Sequence, residues 1–449
     1  MLSNLKNLIS DTNPLRLFYH QIKAAIAAVM YGFPARSMNV IGVTGTNGKT
    51  TTVNLITMVL EEAGYKVGMA STINFQVGPD KWTNISKQTT MSPFALQKLL
   101  RRMVREQCTH CVLEVSSHSI TQSRVLGINF DTAVFTNVTE DHIEYHGSFQ
   151  LYLQAKGSLF QRLNKSKRKP GIPKVSVLNL DDPNYSYFDQ FIVDRKYTYG
   201  IKKGTCYASD IKLHSSGSTF NLHIPNHQLE INLKLSGEFN IYNSLAATTV
   251  ALANNINLTF VKRALEKAEG VPGRLESLEL GQPYGIIVDY AHSSDSLEKL
   301  LQLYRKLTPG KLFIVFGATG GGRDKSKRPN MGALADEYAD MIILTNDDPY
   351  YEDEWQIIEG VASGIRRKEG DRFWKIPHRY EAIRLALTMA KKGDTVVIAG
   401  KGCEEVQIIG GEKIPWDDRK VVRELLSREV VVEIEPGKTV AKENVCLEG

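Results

Sequence analysis

Cysteine is scarce in this chain: five thiols in 449 residues, an odd number without regular spacing. That argues against a secreted disulfide scaffold and points to a reducing, cytoplasmic setting. A strong charge of one sign is missing too. Lysine and arginine number 55 against 49 aspartates and glutamates, a net charge of +6 spread along the chain. An excess that small suits an anionic small substrate and selects no nucleic-acid partner. Glycine (35) and proline (16) are at ordinary levels, so no collagen-like or low-complexity segment is present, and no internal repeat is found. The apolar stretch 17–33 falls short of a membrane span. Its longest uninterrupted run, Ala24 to Phe33, is well below the roughly 20 residues a spanning helix needs. No small-residue cleavage site follows it, which excludes a signal peptide. The stretch reads as an amphipathic helix docked on the main body, with interfacial membrane contact as the weaker alternative.

What is present is ordinary globular composition, 42% hydrophobic and 23% charged, at a length that implies two or three domains. Short apolar runs at 39–43, 66–70, 111–115, 131–135 and 175–180 alternate with helical patterns, which predicts a parallel sheet with crossover helices. Residues 206–236 alternate apolar with polar and predict a small antiparallel patch. A second α/β series, with strands at 285–288, 311–316, 341–345 and 395–399, begins after the turn-rich segment Gly270 to Arg274. The expected division is an N-terminal helical segment 1–38, a central domain 39–272, a C-terminal domain 273–430 and a tail 431–449.

The strongest chemical signal is Gly45-Thr46-Asn47-Gly48-Lys49-Thr50-Thr51, which follows a strand and opens a helix. Glycines let backbone N–H groups curl round a phosphate, the lysine reaches the β/γ-phosphates and the Thr50 hydroxyl suits Mg²⁺. The spacing departs from a strict Walker A loop, since Val43 stands where that pattern's first glycine would fall. Glu114 ends an apolar strand, the place where a P-loop enzyme puts a metal ligand; alone it is equally a salt-bridged strand end. Asp141-His142-Ile143-Glu144-Tyr145-His146 follows another strand end and can hold a cation or steer a phosphate. Cys108-Thr109-His110-Cys111 lacks the second pair that a zinc ribbon needs and reads as strand packing.

The ordered strings TGTNGKTT, EVSSH, FTNVTEDHIEYHGSF, NLDDP, LSGEFNIYNSLAA, VPGRLE, VDYAHSSDSLE, GRDKSKRP and AGKGCEE cover about residues 40–425. Together they resemble the Mur ligase family, MurE type, the UDP-N-acetylmuramoyl-tripeptide synthetases. The resemblance implies a central P-loop ATPase domain built on a parallel sheet with a small antiparallel patch, followed by a Rossmann-like α/β C-terminal domain. It implies an ATP-dependent, ADP-forming ligase of peptidoglycan synthesis, serving cell-wall biogenesis, cell shape and cell division. Such an enzyme adds a diamino acid such as L-lysine or meso-diaminopimelate to a UDP-N-acetylmuramoyl-L-alanyl-D-glutamate-like substrate through an acyl phosphate. Its partners are small molecules: ATP, a muramoyl-peptide and an amino acid.

By the same resemblance, Gly45 to Thr51 bind ATP, with Asn243, Arg274 and Arg379 around the nucleotide at the domain junction. Thr50 and Glu114 hold a first Mg²⁺, and His142 with Glu114 a second. Lys156 matches the family lysine that is carboxylated by CO₂, giving an anionic oxygen donor; without the resemblance it reads as a surface helix lysine. Thr89, Thr90, Ser116, Gln122 and Arg124 match positions that hold the muramoyl-dipeptide. Arg323 would pair with the carboxylate of the incoming amino acid, beside Asp347, Asp348, Tyr350, Gly400 and Glu404.

Three departures stand out. Family members using diaminopimelate typically read Asp-Asn-Pro-Arg where this chain has Asp347-Asp348-Pro349-Tyr350, so a distal ammonium held by Asp347 and Glu404, hence lysine, is the expectation. Cys403 stands where the family usually has histidine. About 40 residues precede the P-loop, too few for the family's uridine-binding domain. A folylpolyglutamate or polyamino-acid synthetase is the rival enzyme, disfavoured by EVSSH. The rival outside catalysis, a nucleotide-binding subunit of a cell-wall amidotransferase, would carry a four-cysteine insertion that this chain lacks.

Overall fold

A computed structural model describes residues 13–84, 88–214, 217–321 and 325–429, with the side chains of the last two residues excepted. Arg323 and the tail 431–449 lie outside the described residues, so the expectations that rest on them are not addressed by it.

The first sheet has eleven strands, β1 (Asn39–Thr44), β2 (Val67–Ala70), β3 (Asn74–Val77), β4 (Asp80–Thr83), β5 (His110–Glu114), β6 (Thr132–Phe135), β7 (Val175–Asn179), β8 (Arg195–Ile201), β9 (Cys206–His214), β10 (Gly217–Ile224) and β11 (His227–Leu233). Their order is β11-β10-β9-β8-β7-β6-β1-β5-β2-β3-β4, and the run from β9 to β2 is parallel throughout. The antiparallel patch expected at 206–236 is β9 to β11, and it extends the same sheet rather than standing beside it. A second antiparallel hairpin, β3–β4, caps the other edge.

Strand residues are apolar on both faces because helices cover both. Ile41 and Val43 point to one core with α2 (Lys49–Glu62), α5 (Glu238–Ala253) and α6 (Leu258–Lys267). Val40 points to the other, with α3 (Pro93–Arg105) and α4 (Phe149–Lys165). The N-terminal helix α1 (Pro14–Met30) starts at a proline behind Asn13, whose side chain accepts the Leu15 N–H, and rests its alanine face (Ala24, Ala27, Ala28) against the body beside α3. Among the described residues no helix is long and apolar enough to cross a membrane.

After the turn at 270–274 the chain forms a six-stranded sheet. Its strands are β12 (Glu276–Ser277), β13 (Gly285–Asp289), β14 (Leu312–Phe316), β15 (Met341–Leu344), β16 (Phe373–Lys375) and β17 (Thr395–Ala399), in the order β12-β13-β17-β14-β15-β16. It is parallel except for β12. Ile314 and Phe316 face one core while Phe313 and Val315 face the other, the alternation of a sheet sandwiched by helices. Among those helices are α7 (Ser294–Leu307), α8 (Lys327–Tyr338) and α9 (Arg379–Met389). A small hairpin, β18 (Val406–Ile409) and β19 (Glu412–Pro415), leans on the loop after β15 through a bridge from Ile409 to Tyr350.

Candidate active site at the carboxyl ends of the strands

Strand register assembles the phosphate loop. Parallel pairing sets Val43 of β1 against Glu114 of β5, and Thr44 against Phe135 of β6, so the loop that leaves β1 is flanked by the ends of two neighbours. The Thr46 and Asn47 N–H groups donate to the Asn137 carbonyl and side-chain oxygens at 2.8 and 2.9 Å, and the Thr136 hydroxyl donates to the Asn47 carbonyl at 2.7 Å. Gly48 sits at φ +81°, and a Cβ there would lie 2.4 Å from Asn243 Oδ1, so both backbone and space demand glycine. The loop is a rigid cradle rather than a flexible turn.

Thr50 donates its hydroxyl to Glu114 Oε2 at 3.0 Å, and the same oxygen accepts the Thr72 N–H at 2.8 Å. Two oxygen donors of the kind a hard cation takes are therefore side by side, with Glu114 nearly fully buried. Lys49 bonds the Thr46 carbonyl at 2.8 Å. Burial holds its pKa below the ordinary lysine value, opposed by Glu114 and Asp141 and reinforced by Arg274.

Lys156 is no surface lysine: it is 2% exposed, because α4 turns that face onto the loop. Its Nζ donates to the Gly45 carbonyl at 2.5 Å and lies over the Tyr152 ring, 4.3 Å from its centre. Burial, and then the neighbouring Lys49, push its pKa well below the normal range against the pull of Asp141. The amine is thus driven toward its neutral form.

His142 occupies a left-handed backbone position, φ +54°, with Nε2 3.4 Å from Asp141 and Nδ1 3.8 Å from Glu144. Its ring meets His118 edge-on at 4.8 Å. Glu114 and His142, expected to share one cation, have separate partners here. Next to this corner Thr90 donates to the Glu114 carbonyl at 3.0 Å and touches Ser116 at 3.4 Å; Arg124 bonds the Thr90 carbonyl at 2.7 Å and Gln122 Oε1 at 2.6 Å. Four of the five residues matched to the muramoyl-peptide are so joined, and the fifth, half-buried Thr89, is their chain neighbour.

Across the domain junction two clefts open. One, of about 570 Å³, is lined by Asn47, Gly48, Thr51, Asn243, Arg274 and Asp289 with residues of α7. Arg274 lies over the Tyr290 ring at 4.4 Å and keeps a buried Nε without a hydrogen-bond partner. The other, of about 510 Å³, is lined by Asp141, His142, Glu144, His292, Lys327, Asp347, Asp348, Tyr350, Gly400 and Glu404 among others. Asn47 Nδ2 donates to Asp295 Oδ2 at 2.6 Å, tying the loop to the first turn of α7.

Two expectations need correction. Arg379 lines neither cleft: it is buried in the second domain, forked onto Asp418 at 2.8 and 2.7 Å and bonded to the Asn346 and Ala399 carbonyls at 3.2 and 2.9 Å. Its donors are used in holding α9 to the chain after β19. Asp347 and Glu404 are not two bare acids waiting for an ammonium. The fully buried Lys401 stands among them, 2.5 Å from Glu404, 2.7 Å from Asp348 and 3.8 Å from Asp347. Burial opposes its charge, but Asp347, Glu404 and Asp348 outweigh that and hold its pKa above the usual lysine range. Among the described residues these acids are the one trio of metal-ligand type with donor atoms within 4.8 Å of one another.

Comparison with known proteins now decides the family. Residues 43–251 match the Mur ligase middle domain, and residues 273–402 the Mur ligase glutamate ligase domain. A UDP-N-acetylmuramoyl-L-alanyl-D-glutamate--2,6-diaminopimelate ligase of Syntrophomonas wolfei is 42% identical, the match covering 91% of this chain and 82% of that protein. The chain belongs to the Mur ligase family. A Roseiflexus UDP-N-acetylmuramyl-tripeptide synthetase is 39% identical over 90% of this Mur ligase and 81% of its own length. A solved UDP-N-acetylmuramoyl-L-alanyl-D-glutamate--2,6-diaminopimelate ligase aligns with TM-score 0.61 at 33% identity, covering 88% of this chain and 79% of the other. The folylpolyglutamate synthase of Mycobacterium tuberculosis, solved with ADP and AMPPCP, shares the fold with TM-score 0.69 at 17% identity, covering 91% and 95%.

Sequence reasoning missed three residues in or directly behind this Mur ligase's clefts. His292 donates from Nδ1 to the Tyr290 carbonyl at 2.9 Å, which leaves Nε2 as an acceptor, and burial lowers its pKa to about 4. Asp295 and Lys401 complete the set. All three stand inside quoted motifs, VDYAHSSDSLE and AGKGCEE, so the signal was in the strings and only the roles were absent. Cys403 is buried with its thiol pushed up to about 11, and Cys108 and Cys111 are buried with raised values, so these thiols pack rather than react.

Proposed function

We propose that the enzyme joins a diamino acid to the side-chain carboxylate of the D-glutamyl residue in a muramoyl-L-alanyl-D-glutamate substrate, forming ADP and phosphate. The observation that carries this reading is the pairing of the Lys49–Lys156 cradle with the acid-lined cleft across the domain junction. A carboxylate oxygen of the peptide attacks the γ-phosphorus of ATP and ADP leaves. The amine of the amino acid then attacks the acyl phosphate carbon, phosphate departs, and the nitrogen gives up a proton. Lys49 and the N–H groups of the first turn of α2 hold the phosphates, while Arg274 lines the nucleotide cleft. Arg124 and Thr90 orient the peptide. Asn47 and Asp295 draw the two domains together so that water is kept from the acyl phosphate.

Thr50 and Glu114 fit Mg²⁺, being adjacent oxygen donors, and His142 lies at the same strand-end corner. When bound, the ion offsets the negative charge of the phosphoryl group in transfer. Lys156 as an ammonium does not fit beside a cation; its carbamate does. A neutral amine is the form that adds to CO₂, with an N–C bond formed and a proton released, and the burial of Lys156 supplies that form.

The amino acid is read as lysine. Among the described residues, eight carboxylates and one lysine, Lys327, line the second cleft, which suits a distal ammonium. Tyr350 brings no cation for a second carboxylate, and Arg328 and Lys325 are both engaged by Glu352 at 2.8 and 2.9 Å. The names of the relatives favour 2,6-diaminopimelate instead, and Lys401 reduces the acid excess that argues against it. ADP release across a panel of amino acids, with UDP-linked and lipid-linked muramoyl-dipeptide, tests both levels. Dependence on a diamino acid is expected; release driven by glutamate on a folate would overturn the reading.

A further inference from the structure

The outer face of α1 is built for contact. Leu15, Phe18, Tyr19, Ile22, Ile26, Val29 and Met30 are between 44% and 80% exposed, while the helix docks through small Ala24, Ala27 and Ala28. At 100° per residue the seven large side chains fall on one stripe about 120° wide. The inward face is used for docking, and among the described residues the stripe stays exposed.

Charge identifies the occupant. Neither α1 nor the adjoining α3 contains an acidic residue, whereas between them they carry Arg16, Lys23, Lys98, Arg101, Arg102 and Arg105. On the α1 helical wheel Arg16 and Lys23 fall along one border of the stripe. Lys98, Arg101, Arg102 and Arg105 are exposed, and of these Arg102 pairs with Asp80 at 2.7 Å. Two helices that carry basic and no acidic residues of their own disfavour packing against a second copy of the same surface. An apolar stripe bordered by basic side chains is the pattern of a helix lying in the interface of an anionic bilayer.

We propose that α1, assisted by the basic side chains of α3, seats the protein on anionic lipid surfaces. The helix lies in the plane of the headgroups, its large apolar side chains entering the acyl boundary and its inner face staying on the body.

Vesicle co-sedimentation of the full chain tests this, with phosphatidylcholine vesicles and vesicles containing 30% phosphatidylglycerol. Binding to the anionic vesicles about tenfold above the neutral ones is expected, weakened at high salt. The triple variant Phe18→Gln, Ile22→Gln, Ile26→Gln should lose about tenfold in binding while ADP release on a soluble substrate stays at wild type. Since all three side chains are exposed, the fold should persist, and Lys98→Glu with Arg101→Glu gives an independent reading by lowering the anionic preference alone. Equal sedimentation of wild type with both vesicle types or with neither, or unchanged binding by both variants, would overturn the proposal. So would a wild-type dimer in sedimentation velocity that the triple variant splits without any lipid binding.

Discussion

The phosphate cradle and the Lys401 corner are built from the same charges with the majority reversed. At the cradle the fully buried Lys156 stands beside the half-buried Lys49, and desolvation drives both pKa values down. At the other corner one buried lysine, Lys401, faces Asp347, Asp348 and Glu404, and its pKa is driven up. The first is a cationic place with a deficit of anions, ready for phosphates and for a carbamate. The second is an anionic place partly offset by its own ammonium, ready for one more cationic group. Ligation needs both: a phosphorylated carboxylate at one side and an amine arriving from the other.

Breaking the cradle should have the largest effect. Lys49→Ala removes the phosphate-facing cation and should cut ADP release by about a thousandfold or more, with an unchanged circular dichroism spectrum. Lys156→Ala should come next. Its activity should be lost, wild-type activity should fall when CO₂ is stripped and return with bicarbonate, and short carboxylic acids should partly restore the variant. Unchanged turnover would make Lys156 a packing residue only.

The opposite corner should respond in stability before chemistry. Lys401→Met leaves three acids buried without their cation, a change expected to cost about 3–5 kcal/mol and at least about 6 °C in melting temperature. A melting temperature within a degree of wild type would show that the acids were never dependent on it. The smallest effect sharpens the comparison. Tyr350→Arg adds a guanidinium to the acid-lined cleft and should move the ratio of kcat/KM for diaminopimelate over lysine by about tenfold, ~1.4 kcal/mol. No change in the ratio would put the second carboxylate elsewhere.

The two corners also differ in how far the sequence discloses them. Around the P-loop, chain neighbours supply most of the site, so the GTNGKTT string and the strand-end Glu114 already describe it. Its remaining member, Lys156, needed the family resemblance, because a helix lysine carries no local sign that its face will be buried. The other corner is assembled from two loops some fifty residues apart. Nothing local in Gly400-Lys401-Gly402 says that Lys401 will turn inward onto acids some fifty residues earlier, nor that Arg379 will be consumed by Asp418. In the fold, β1, β2, β5, β6, β7 and, in the second sheet, β13, β14, β15 and β17 were legible as apolar runs. The β3–β4 and β18–β19 hairpins were not, since polar edge strands such as Asp80–Thr83 and Glu412–Pro415 carry no apolar pattern. Helix α1 was read as docked, and so it is, but the periodicity that marked it amphipathic could not tell which face would be left outside.

The central claim is that the enzyme activates a peptide carboxylate by phosphorylation before the amine attacks. The most direct test uses muramoyl-L-alanyl-D-glutamate carrying ¹⁸O in both oxygens of the side-chain carboxylate, with ATP and the diamino acid. Mass spectrometry of the released phosphate should find one ¹⁸O atom per phosphate, because the bridging oxygen of an acyl phosphate leaves with phosphorus. Phosphate without the label, formed together with the ligated product, would contradict the account.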